Sequence, residues 1–434
     1  MRRFLLQLPA FLFRPVSALG FGMMRSSWAA VCLVYLLMIG KDVTEFFSAE
    51  GLLPPELAAQ AMRQTMRFTV LEWITTPEAV FALYLLLLLS LFLACIGMWP
   101  RFTTILSTVL LFSFHERDPF PFGGGDTVLR ILAFLLCVAP CLDAFSVKRL
   151  DPQWKHFKKT RTLLPPPLMP IWPYRLLLWQ FFVLYATSTW FKLKGSMWLA
   201  GTAVDSALHH PVFSRLSPKM AHLMSPFTPI VTFGAIAWQT TWLLVMLPER
   251  LRRFVFRGHN VKLWVLLGGV LFHGSILLLM DAGSFSMAIF AGYIGLFLEE
   301  DIAAIRSAFN RRTRGPIAIL YDGHCGLCMR SIFTLKILDN LRRLQPVDFW
   351  NKTEKQRVAP DLKIADLDKA MHVRLPDGRT FKGFDGVRQI AWHLPALWPL
   401  APFLYVPGVP AIGRAVYARV ATRRKQCNHE SCVI

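Results

Sequence analysis

The chain is short of charge, and of acidic charge above all. Only 17% of its 434 residues are Asp, Glu, Lys or Arg, against about 25% in soluble domains. A single soluble globule of this length is excluded. The 27 acidic residues face 48 Lys and Arg, a formal charge of +21. In so apolar a chain, that surplus points to membrane topology and lipid headgroup contact, and away from nucleic acid. Cysteine is scarce: eight residues are too few for a disulfide framework. Internal repeats and low-complexity linkers are missing. Disorder is excluded by what is abundant, 35 Phe and 14 Trp.

Long apolar runs fill the first 300 residues. About 20 apolar residues cross a bilayer. The windows 26–40, 79–99, 103–115, 127–146, 171–191, 228–248, 262–281 and 283–298 predict about eight spans. The N-terminal run MRRFLLQLPAFLFRP is broken by Pro9 and Arg14, and residues 1–25 read as an amphipathic, interfacial segment. Sixteen Lys and Arg fall in loops on one side of these spans and eight on the other. The richer side is cytoplasmic by the positive-inside rule. The expectation is a bacterial-type inner-membrane protein with both termini inside.

Composition changes near residue 300. From Arg314 onward, 19 basic and 10 acidic residues share 121 positions, and no run is long enough to span. A separate domain of 314–434 is expected after a membrane domain of 26–300. Four cysteines, Cys32, Cys95, Cys137 and Cys141, lie in apolar runs, where a buried thiol is the plain reading. The other four, Cys325, Cys328, Cys427 and Cys432, form two close pairs in the polar part.

The stretch IAILYDGHCGLCMRSIFTLKILD reads as a strand, a turn and a helix. Cys325 and Cys328 therefore meet a helix N-terminus, whose dipole and unpaired N–H groups stabilise a thiolate. A CxxC in this setting reads as a thioredoxin-like redox motif. Half of a zinc site is the alternative, with Cys427, His429 and Cys432 as the other half. The tail pair also stands as a redox relay or an incidental feature.

YDGHCGLC, followed by MHVRLPDGRTFKGFDGVRQIAWHLP and LWPLAPFLYVPGVPAIGRAVYARVATRR, resembles the DCC family of thiol–disulfide oxidoreductases over residues 315–425. The resemblance implies a small α/β thioredoxin-like fold. It implies Cys325 as the attacking thiolate, Cys328 as the resolving thiol and Asp322 beside them, with no cofactor required and an unnamed thiol or disulfide as substrate. Asp322 serves either proton transfer or capping of the turn, and capping is favoured.

Ionisable groups near membrane depth are functional candidates. Asp126 and Arg130 open the fourth window, Lys192 and Lys194 close the fifth, and His273 lies inside the seventh. Each also has a plain reading as a cap, an inter-helix hydrogen bond or a snorkelling lysine. Gly125–Arg130, SVKRLD, KLKGSMWLAGTA and LFHGSILLLMDAGSFS resemble, in their order, the HTTM membrane domain shared with vitamin K-dependent carboxylases, over residues 20–300. That resemblance implies Lys192, or Lys194, as a base toward a quinone-like group. A redox domain stands where carboxylases carry a large lumenal region, so carboxylation is not carried over.

The expected architecture is thus a multi-pass α-helical membrane bundle followed by a thioredoxin-like domain. The leading expectation is a membrane-bound thiol–disulfide oxidoreductase whose membrane domain binds a lipid or quinone. The alternatives are a carboxylase-like quinone- or lipid-modifying enzyme with a regulatory CxxC, and a non-catalytic membrane protein with a structural metal site.

Overall fold

A computed structural model describes residues 11–64, 69–118, 120–140, 142–247, 249–257, 259–312 and 315–424. Cys141, Cys427, His429, Cys432 and the first ten residues of the expected amphipathic segment lie outside the described residues. The chain divides into two compact units. One runs up to Leu150 and resumes over Pro166–Leu298; the other joins Asp151–Pro165 to everything from Glu299 onward.

The first unit is helical. Four of its helical stretches are long and apolar enough to cross a membrane: Leu19–Phe47, Pro77–Ile96, Pro218–Met246 and Val261–Leu279. The remaining expected windows give helices of another character. Pro100–Arg117 ends on His115, Glu116 and Arg117. Gly124–Val138 stops after 15 residues, about 22 Å at 1.5 Å per residue, and short 3₁₀ turns follow it. Phe285–Ile294 has ten residues. Trp172–Lys194 has 23 but carries Arg175, Gln180, Lys192 and Lys194. Leu19–Ile39 is one continuous helix that runs across residue 25. The joint between two of these helices shows how sequence sets the turn: Gly97, at φ +74°, caps Pro77–Ile96, and Pro100 opens the next helix.

Several basic residues near helix ends are buried and bound to backbone carbonyls. Arg25 donates to Leu142 O (3.0 Å) and Phe145 O. Arg117 donates to Ser48 O and Leu53 O at 2.9 and 2.8 Å. Lys262 donates to Tyr174 Oη and Leu296 O at 2.9 and 3.0 Å. These charges staple loops to helix ends, as buried charge must be satisfied.

The second unit holds a four-stranded mixed sheet. β3 (Ile317–Tyr321) lies between β4 (Leu344–Asp348), parallel to it, and β5 (His372–Arg374), antiparallel; β6 (Thr380–Lys382) pairs with β5. (β1, Pro15–Ser17, and β2, Leu168–Pro170, form a separate ribbon in the first unit.) β3 is buried throughout, which explains its unbroken apolar sequence. Its residues alternate between two cores. Ile317, Ile319 and Tyr321 join Met329, Ile332, Val373 and Ile390, whereas Leu320 joins Phe349, Ala359 and Leu367. Gly378, at φ +90°, closes the β5–β6 hairpin after Pro376 and Asp377.

The first core contains a residue from far upstream. Phe157, on the helix Leu150–Thr160, is fully buried there. With Trp154 it packs on Phe333 of the helix Gly326–Leu338, at ring separations of 5.5 and 5.3 Å. Gln153 closes the segment by bonding both backbone groups of Leu164. The unit therefore begins at Glu299 and takes in 151–165, where sequence placed a boundary at 314 and a plain inter-span loop.

Candidate active site

β3 delivers Asp322 to the turn before the Gly326–Leu338 helix, and Cys325 is that helix's N-cap. Its sulfur accepts the Cys328 N–H at 3.5 Å. Both cysteines are thiols; Cys325 is buried and Cys328 half-buried. The Cys325 thiol is lowered from 9.0 to about 6. The largest cause is a hydrogen bond from the Cys328 thiol, helped by the N–H groups of Cys328 and Leu327; burial and Asp322 oppose it. At neutral pH this sulfur is mostly thiolate, the nucleophilic form.

The turn is held by two carboxylates. Asp322 Oδ1 accepts the His324 N–H and the Trp350 Nε1–H, both at 3.0 Å. Asp322 thus caps the turn. Asp348, the last residue of β4, accepts the N–H groups of Gly323 and Trp350, both at 3.1 Å. Arg161 of the inserted segment donates to the Gly323 carbonyl at 3.2 Å. Beneath the turn, burial pushes the Tyr321 hydroxyl up to about 12, so it stays a neutral phenol.

Asp348, Trp350 and Arg161 escaped the sequence reading. Asp348 had one signal: it ends a parallel strand, and the carboxyl ends of such strands build sites. Arg161 had none.

In the first unit the five candidates take separate partners. Lys192 donates to Ser188 Oγ at 2.6 Å and lies 4.8 Å over the Trp198 ring. Lys194 lies 4.6 Å over Trp190. Asp126 caps its helix, accepting the Gly123 N–H at 2.7 Å and the Ser284 hydroxyl at 3.4 Å. Arg130 pairs with Glu116 and stacks on Phe112. His273 Nε2 meets the Tyr185 hydroxyl at 2.8 Å, and Tyr185 meets Tyr293 at 2.6 Å. Phe285 packs on the His273 ring at 5.3 Å. Arg130 and Lys194 turn to other partners. Tyr293 was not singled out in sequence. Among the described residues, no three His, Cys, Asp or Glu side chains stand where they could hold a metal ion.

A thiolate at a helix N-terminus beside a second thiol is the chemistry of thiol–disulfide exchange. Residues 319–430 match the family model of DCC1-like thiol-disulfide oxidoreductase proteins, which gives this region the class of an oxidoreductase enzyme. No curated protein and no solved structure matches the chain.

A pH profile follows from the site. Alkylation of Cys325 should rise through a midpoint near pH 6, well below the 8.5 or so of an ordinary thiol. Cys328→Ala removes the principal donor and should move the midpoint upward. Iodoacetamide kinetics with peptide mapping checks both; an unchanged midpoint in the variant would refute the assigned cause.

Proposed function

We propose that the chain is a membrane-bound thiol–disulfide oxidoreductase with Cys325 as nucleophile and Cys328 as resolving thiol on a thioredoxin-like domain. The observation that carries this is Cys325 at the helix cap with its thiol lowered to about 6. The sheet order β4-β3-β5-β6, with the CxxC after its central strand, supports the thioredoxin-like reading. Cys325 attacks a substrate disulfide, forming a mixed disulfide and releasing one substrate thiolate. Cys328 then attacks the Cys325 sulfur, which releases the second substrate thiol and leaves a Cys325–Cys328 disulfide. Two electrons pass to the substrate, and a cellular thiol must restore the pair.

Membrane placement rests on the four apolar helices. We place the domain on the cytoplasmic side of a bacterial-type inner membrane, where the sixteen-to-eight loop bias puts it. A second argument agrees. The segments 151–165 and 299 onward share one compact unit and so one side of the membrane. Two of the four candidate spans separate them, an even number. The eight-window count also puts an even number between them.

The test uses the full chain in membranes. Cys325→Ser should abolish exchange, and Cys328→Ser should trap mixed disulfides because the resolving thiol is gone. In intact cells a permeant maleimide should modify Cys325 and an impermeant one should not. Equal trapping by both variants sinks the assignment of roles, and modification by the impermeant reagent sinks the topology.

One observation favours a second function for the membrane unit. His273 is fully buried and its Nδ1 has no partner among the described residues, at the end of the Tyr293–Tyr185–His273 chain. An unsatisfied buried nitrogen is costly. It fits a lipid or quinone oxygen, as the HTTM-like order of motifs suggests. Solvent extraction of the purified protein should yield a quinone or a defined lipid that His273→Ala loses; equal yield from both proteins counts against it.

A further inference from the structure

We propose that Arg161, from the segment between two membrane helices, is a positioning residue of the redox site: it clamps the Gly323 carbonyl and so fixes the turn that presents Cys325. This inference rests on the oxidoreductase reading above and adds a second stretch of chain to the site.

Gly323 carries two backbone polar groups, and each is held by a charged side chain of opposite sign. Its N–H goes to the Asp348 carboxylate at 3.1 Å, and its carbonyl takes the Arg161 guanidinium at 3.2 Å. Hydrogen bonds to charged groups are about twice as strong as neutral ones. The two peptide groups on either side of Gly323, two residues before Cys325, are therefore each restrained. The Cys325 N–H in turn reaches back to Asp322 O at 3.4 Å, so the restraint passes directly to the cysteine.

Arg161 is itself fixed. Its φ of +59° is a left-handed conformation that is strained for a non-glycine residue. Four contacts hold it there. Its N–H donates to Phe157 O at 2.9 Å, and its second guanidinium nitrogen donates to Lys158 O at 2.9 Å. Its carbonyl accepts Lys336 Nζ, from the CxxC helix, at 3.2 Å. Its other guanidinium nitrogen makes the Gly323 bond. The helix that precedes it is anchored by Phe157, which has no exposure at all. A strained residue tied at both ends to the elements that flank a reactive thiol has the form of a clamp. The turn it fixes holds Cys325 against the Cys328 and Leu327 N–H groups that stabilise its thiolate.

The experiment measures two quantities on the full-length protein: the pH midpoint of Cys325 alkylation, and the equilibrium of the Cys325/Cys328 pair with reduced and oxidised glutathione. Arg161→Ala should raise the midpoint by about one unit, which below pH 6 is about a tenfold slower reaction. It should shift the glutathione equilibrium toward the disulfide by a comparable factor, because the thiolate of the reduced form loses stabilisation. Arg161→Lys keeps the charge but not the two-pronged geometry and should recover part of each effect. Lys159→Ala, an exposed charge on the same segment, should match the wild type, which separates the clamp from net charge. A merely structural role would lower the melting temperature and leave the midpoint in place. Wild-type midpoints in folded Arg161→Ala and Arg161→Lys overturn the inference. A wild-type protein whose pair never oxidises in glutathione overturns the oxidoreductase reading instead.

Discussion

Phe157→Ala, a change between two helices of the first unit, is expected to destabilise the C-terminal oxidoreductase unit by about 3–5 kcal/mol. The phenyl ring is fully buried and packs on Phe333 and Trp154, in the core that contains Ile317, Ile319 and Met329. Alanine leaves a cavity that these neighbours, fixed on a strand and a helix, fill only in part. Hydrogen exchange reads the effect where it matters. The β3 amides Ile317–Tyr321 should lose two to three orders of magnitude of protection, since about 1.4 kcal/mol is tenfold. Phe403→Ala, at an exposed position of the same unit, should change little. Unaltered β3 protection in Phe157→Ala would mean that the inserted helix merely rests on the domain.

Gly323→Ala should be nearly as damaging, for a different reason. A Cβ at this position would lie 1.9 Å from Asp348 Oδ2. Gly323 is not in a left-handed conformation, so the clash alone carries the cost. The carboxylate must swing away and release the Gly323 and Trp350 N–H groups. Hydrogen bonds to a charged group contribute about 1.5–3 kcal/mol each. A loss of roughly 2–4 kcal/mol in unfolding free energy is expected, with slower disulfide exchange because the turn before Cys325 shifts. Asp348→Ala removes the obstacle. In that background the alanine should cost far less, and a double-mutant cycle would show coupling above about 1 kcal/mol. Additive effects would refute the clash.

The part of the site that could be read from sequence is the part built from neighbours along the chain. Ile317 to Leu338 supplies the strand, turn, cap and helix within 22 residues, and apolar periodicity reports such local order well. Asp322 belongs to the same stretch. Asp348 and Arg161 reach Gly323 from 25 and 162 residues away. No periodicity encodes that. Around Arg161 the sequence DPQWKHFKKT looked like a basic loop serving orientation, and its lysines do lie exposed. The hidden signal was Trp154 and Phe157, three apart on one helical face amid charge, an apolar stripe with nothing nearby to cover it.

Hydropathy windows misplaced the ends of the apolar helices for a related reason. A window registers apolar composition and cannot see where a helix stops. Val138 is followed by turns, and the Leu19–Ile39 helix starts well before its window at 26. At the other ionisable sites the residues were legible and their partners were not. His273 was marked by its depth, but Tyr293, which completes its hydrogen-bonded chain, was lost among ordinary apolar neighbours.

The inserted helix also imposes an order of events during synthesis. Ribosomes add roughly 5–20 residues per second. About 150 residues separate Pro165 from Ile317, so Trp154 and Phe157 emerge about 8–30 seconds before the strand they will pack against. During that interval two large aromatic side chains sit in a short basic stretch with no core to enter, while further apolar helices are still being made. The domain cannot close on its own nascent end. It must wait for a piece made earlier, between two helices of the first unit, and a chain cut between the two units would release an oxidoreductase domain with a hole where Phe157 belongs.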